Sequence, residues 1–143
     1  MNALCIFVAG ALQATLPTTE VTLQWVHSIE KTRWQERYRV EGRQLKLVEA
    51  RIEGSGAGMD PAPGARLIDG WWTWQPNATL DALHLTLSPF TRDYDLCWRG
   101  RCHTLRSLAT QVQPPAQPFP PRDEAANDVA FVELRACNRK QHE

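Results

Sequence analysis

Alternation of apolar and polar residues with a period of two runs through most of this chain, and it leaves little room for any fold that is not built from strands. "VTLQWVHS" sets Leu23, Trp25 and His27 on one side and Gln24, Val26 and Ser28 on the other. "ERYRV" opposes Arg37 and Arg39 to Tyr38 and Val40, "LKLVEA" opposes Leu45 and Leu47 to Lys46, and "LHLTL" opposes Leu83, Leu85 and Leu87 to His84 and Thr86. Successive side chains of a strand point to opposite faces, so each run reads as a half-buried strand. Gly42 falls between the second and third runs, where a hairpin turn is expected. The best helical spacing is Leu105, Leu108 and Val112 in "TLRSLATQV", Thr104 to Val112, and it is short. The pattern predicts an all-β domain, a small antiparallel sandwich or barrel of about eight strands.

A length of 143 residues suits one domain with a tail. The composition, 43% apolar and 22% charged, is that of an ordinary soluble globular protein. Sixteen basic and sixteen acidic residues cancel, which removes any global attraction to nucleic acid. Arg99, Arg101 and Arg106 read as a solvated hairpin edge. Five of the ten prolines lie between Pro114 and Pro121, in "PPAQPFPP". The chain therefore divides into a β domain over 1–112, an extended Pro-rich connector over 113–128, and a C-terminal strand over 129–137 that packs back on the domain. No apolar run reaches the roughly 18–20 residues that span a bilayer. The uncharged start, "MNALCIFVAGALQATLP", fits a strand over Leu4 to Val8 that turns at Gly10; the alternative is a short signal with Ala9-Gly10-Ala11 as its cleavage site.

Cys97 and Cys102 flank Arg99-Gly100, which has the form of a two-residue hairpin turn. Directly opposed residues of such a hairpin lie about 4.5 Å apart in the non-hydrogen-bonded position, within disulfide range. Cys5 and Cys137 stand in the first and last apparent strands, and a second bridge forms if those strands pair. Four cysteines allow three connectivities, and four reduced thiols in a cytosolic protein are the alternative. "CWRGRCH" puts four residues between its cysteines where covalent haem attachment uses two, and no second Cys/His pair completes a zinc set. No metal and no cofactor is predicted.

Three stretches are candidates for a site. In "WVHSIEK", His27, Ser28, Glu30 and Lys31 gather at a strand end. His27 and Ser28 point to opposite faces while the strand lasts, so they do not make a nucleophile–base pair with each other, and no Gly-x-Ser-x-Gly elbow is present. In "EGSGAGMDP", Gly54, Gly56 and Gly58, with Ser55 and Met59 between and after them, form a loop that turns sharply. Such a loop presents backbone N–H groups to an anion, or simply joins two strands. In "DGWWTW", Trp72 and Trp74 share one face and Trp71 takes the other, and an exposed tryptophan would mark a ligand or partner surface. Asn77-Ala78-Thr79 matches a glycosylation sequon.

Taken in order, "VTLQWVHSIEKTRWQERYRV", "RIEGSGAGMDP", "RLIDGWWTW" and "YDLCWRGRC" resemble the bacterial family of domains of unknown function numbered eighteen-fifty. The resemblance runs from about Ala3 to Leu105 and extends to "VELRAC". It implies a small accessory protein found beside TRAP transporters of the TAXI class, whose partner is a membrane subunit or the solute-binding protein. The family supplies no catalytic residues. His27, Ser28, Glu30, Gly54, Ser55, Gly56, Gly58 and Met59 match its motif positions. The leading expectation is a non-enzymatic binding protein for a transporter subunit or a small organic anion. The alternatives are a small hydrolase using His27 and Glu30 and a purely structural extracytoplasmic domain. The cysteine pattern and the resemblance favour the periplasm; reduced cysteines would instead place the chain in the cytoplasm.

Overall fold

The computed structural model describes residues 2–26, 31–54, 62–88, 93–109 and 129–138. Two antiparallel sheets face each other. The smaller has the order β2-β1-β12-β9, from β1 (Asn2–Val8), β2 (Ala11–Leu16), β9 (Leu83–Leu87) and β12 (Ala130–Asn138). The larger has the order β11-β10-β3-β4-β5-β7-β6. Its strands are β3 (Glu20–Val26), β4 (Arg33–Glu41), β5 (Gln44–Glu53), β6 (Arg66–Ile68), β7 (Trp71–Trp74), β10 (Asp95–Trp98) and β11 (Arg101–Thr104). The long β5 also pairs its first half with β8 (Ala78–Leu80). The one described helix, α1 (Leu105–Ala109), buries Leu105 and Leu108 at the spacing seen in the sequence. No described helix is long and apolar enough to cross a membrane.

The alternating residues fill the space between the sheets. Leu4, Ile6, Val132, Leu134, Leu85 and Leu87 come from the small sheet, and Val21, Leu23, Tyr38, Val40, Leu45 and Leu96 from the large one. Burying each such side chain is worth about 1.5–3 kcal/mol relative to leaving it exposed. In β5 the alternation changes parity: Leu45 and then Val48, Ala50 and Ile52 are buried. A bulge opposite Arg37/Tyr38 takes up the extra residue and keeps the later side chains on the core face. The Arg99-Gly100 turn has both residues at positive φ, 51° and 77°, the two-residue hairpin geometry expected between Cys97 and Cys102.

The architecture is the expected all-β antiparallel sandwich, and the sheets do not close into a barrel. It has twelve strands among the described residues rather than about eight. The additional ones, such as β6 and β8, are only three residues long, too short to show alternation. The apolar start forms β1, a central strand of its sheet.

Both disulfides are present. Cys97 and Cys102 are directly opposed in the β10–β11 hairpin, with Cα atoms 4.0 Å apart. Cys5 sits opposite Arg135 and Cys137 opposite Ala3, so the second bridge runs diagonally across β1 and β12 with a Cα separation of 5.9 Å. The two close loops of very different length, with sequence separations of 5 and 132. On the loop-entropy argument, replacing Cys5 and Cys137 together with alanine should lower stability by about 4–5 kcal/mol. Replacing Cys97 and Cys102 should lower it by only about 1–3 kcal/mol. Guanidinium unfolding of the two double variants measures the difference.

Candidate functional site

Register places a rank of large side chains across one end of the large sheet, on its core-facing side. Trp25 is opposite Trp34, Trp34 opposite Ile52, Ile52 opposite Trp72, and Trp72 opposite Leu67. Directly opposed residues of antiparallel strands share a face, so these five form one continuous row. Trp25 and Trp34 stack with ring centroids 5.8 Å apart. Tyr94, just before β10, meets Trp25 edge-on at 5.9 Å and extends the row. At the other end the row runs into solvent, where Leu67 is 56% exposed. Among the described residues the small sheet has four strands and the large one eight.

The next row inward reads Leu96, Leu23, Glu36, Ala50 and Trp74. Glu36 is the one charged member, set between buried Leu23 and Ala50. Tyr38 Oη donates to Glu36 Oε1 at 3.0 Å. Burial raises the Glu36 pKa, and the Tyr38 hydrogen bond offsets part of that rise. Burial, followed by the nearby Glu36 charge, raises both tyrosines as well: Tyr38 strongly, Tyr94 less so. Glu36 escaped the reading of candidate residues, yet the signal was there. In "WQERYRV" it has the parity of Trp34, Tyr38 and Val40 and is a carboxylate on the apolar side of a strand.

The opposite face of the large sheet is a lattice of polar pairs. Arg37 bridges Glu20 at 2.8 Å and Glu49 at 3.6 Å, and Gln35 Nε2 donates to Gln24 Oε1 at 2.6 Å. Arg51 lies over the Trp71 ring, 4.6 Å from its centroid. Trp71 therefore faces away from Trp72 and Trp74, as alternation predicts. Exposed pairs of this kind contribute little individually.

Of the candidate site residues, Lys31, Gly54 and Trp72 are described, and His27, Ser28, Glu30, Ser55, Gly56, Gly58 and Met59 lie outside the described residues. Trp72 is in the row. Lys31 is exposed, with a φ of 55°, at the approach to β4. Gly54 directly follows β5 and donates its N–H to the carbonyl of Gly70 at 2.7 Å. A Cβ there would stand 2.8 Å from Leu67 Cδ1 and 2.9 Å from Gly70 O, so close approach to the β6–β7 turn by itself requires glycine. Arg33 and Glu53 meet at one end of the sheet, where Arg33 Nε and Glu53 Oε1 are 3.4 Å apart. Among the described residues no group of three or more His, Cys, Asp or Glu side chains is placed to hold a metal ion.

Fold and site together define an antiparallel β-sandwich with an aromatic row and a desolvated carboxylate at one end. Residues 21–105, more than half of the chain, match the family described as a domain of unknown function (DUF1850), and the chain belongs to that family. The matched stretch runs from β3 to the start of α1 and contains the whole row. No curated protein and no solved structure matches the chain.

Two outcomes follow from the site. A carboxyl whose native pKa is raised holds a proton that the unfolded chain releases near the ordinary value of 4.5. The stability this contributes is full below that value and is lost as pH rises through the native value. Glu36→Gln keeps an acceptor for Tyr38 and removes the loss. Urea unfolding from about pH 4 to about pH 8 should therefore show the variant gaining on the wild type as pH rises; parallel curves would assign the slope to other groups. Gly54→Ala should lower stability by about 1–3 kcal/mol, since a backbone carbonyl blocks the new methyl group. A variant with an unchanged unfolding midpoint would remove the close-approach explanation.

Proposed function

We propose that this chain is a non-enzymatic, extracytoplasmic accessory protein that docks on a subunit of a TAXI-class TRAP transporter through the aromatic end of its large sheet. The observation that carries the docking reading is the row Tyr94, Trp25, Trp34, Ile52, Trp72 and Leu67, which ends in solvent at Leu67. Aromatic side chains supply large contact area at low entropic cost and dominate binding surfaces. The transporter context rests on the resemblance of the motif series to proteins found beside TRAP genes. Two disulfides support the compartment, since such bonds persist where the surroundings are oxidising.

The test is affinity purification of the tagged protein from detergent-solubilised native membranes. A TRAP membrane subunit or solute-binding protein is expected in the eluate. Trp72→Ala should weaken its retention by roughly tenfold or more, the effect of losing a central aromatic contact. Recovery of no transporter component, or equal retention by the variant, would overturn the proposal.

A further inference from the structure

We propose that the Cys97–Cys102 bridge is a native-state thiol–disulfide exchange site, open to a dithiol of the Cys-x-x-Cys oxidoreductase class, and that it exchanges well ahead of Cys5–Cys137. Three observations separate the two. Cys102 is exposed, whereas Cys137 is half-buried, as Cys97 is, and Cys5 is 0% exposed. The first bridge lies in a hairpin whose outer strand, β11, pairs only with β10 among the described residues, at the sheet edge; the second joins β1 and β12, the two inner strands of their sheet. Open grooves border Cys97 and Cys137 alike and do not distinguish the bridges. Finally, oxidation closes a loop with a separation of only 5, so the bond adds little to the hairpin's stability.

The hairpin has other supports. Leu96 is fully buried in the core, Trp98 stacks on His103 with centroids 4.8 Å apart, and Leu105 N–H donates to the Tyr94 carbonyl at 2.8 Å. Opening the bridge therefore does not require unfolding, whereas the second bridge offers no exposed sulfur, Cys137 being half-buried and Cys5 fully buried between inner strands. In the exchange, a thiolate of the reductant attacks Cys102 Sγ, the exposed sulfur. The Cys97–Cys102 bond breaks, and Cys97 leaves as a thiolate and takes a proton. The reductant's second thiolate then attacks its own sulfur in the mixed disulfide and releases Cys102, which takes the second proton. Two electrons pass, the protein bridge becomes two thiols, and the dithiol becomes a disulfide.

The experiment exposes the native, oxidised protein to a catalytic amount of a Cys-x-x-Cys oxidoreductase kept reduced by dithiothreitol. Thiols are trapped with iodoacetamide at intervals and located by peptide mass spectrometry. Cys97 and Cys102 are expected to alkylate together, roughly tenfold or more faster than Cys5 and Cys137. The product carrying two alkyl groups should keep its far-ultraviolet circular dichroism. Equal rates, earlier labelling of Cys5 and Cys137, or labelling of Cys97 and Cys102 only after the fold is lost would each overturn the proposal.

Discussion

The pairing of β1 with β12 is the constraint on which the rest of the sandwich depends. β12 is the last strand of the described chain and β1 the first, yet they lie side by side in the middle of the small sheet. On its far side β12 carries β9. Remove it, and β9 loses its only strand partner among the described residues, and the β1–β2 hairpin loses its connection to β9. Val132 and Leu134, both buried, then leave the core as well. A contact between chain ends is entropically the most expensive that a chain of this length can make. The diagonal Cys5–Cys137 bond holds that contact closed.

The large sheet has a different logic. Its outer face is satisfied by cross-strand charge pairs, its inner face by the core near Val21, Leu23 and Tyr38, and then by aromatic rings as the row approaches its open end. Glu36 stands at the boundary between these regimes. It is near enough to the core to lose hydration and near enough to Tyr38 to be held. Its charge also reaches Tyr94, and together with burial it holds that hydroxyl above the ordinary range.

Much of this was legible in the sequence, for a physical reason. Strand alternation is local, so Leu23, Tyr38, Leu45 and Leu85 declared their faces without any knowledge of their neighbours. The Arg99-Gly100 turn fixed the partner of Cys97 in the same local way. The β1–β12 pairing was legible only as a condition, because nothing local in "ALCIFV" names a partner more than a hundred residues away. The short strands β6 and β8 were invisible, since three residues do not establish a period. At the candidate site, the tryptophan parity was readable, and it sets Trp72 in the row. Glu36 belongs to no cluster of polar residues, and its character comes from being a lone charge on an apolar face. Gly54 was read as part of a loop that either joins two strands or presents its backbone to an anion, and its described surroundings supply a steric reason that depends on Gly70, a tertiary neighbour.

The unequal loop lengths of the two bridges also set an order of events. Cys97 and Cys102 emerge from synthesis almost together and meet as soon as their hairpin forms. Cys5 emerges early and must wait for Cys137, passing two competing thiols on the way. Early closure of the hairpin bridge takes both competitors out of circulation. Of the three possible connectivities, the native one is then the only one left to the remaining pair. Closed first, the small bond would leave the native pairing as the one connectivity open to Cys5 and Cys137.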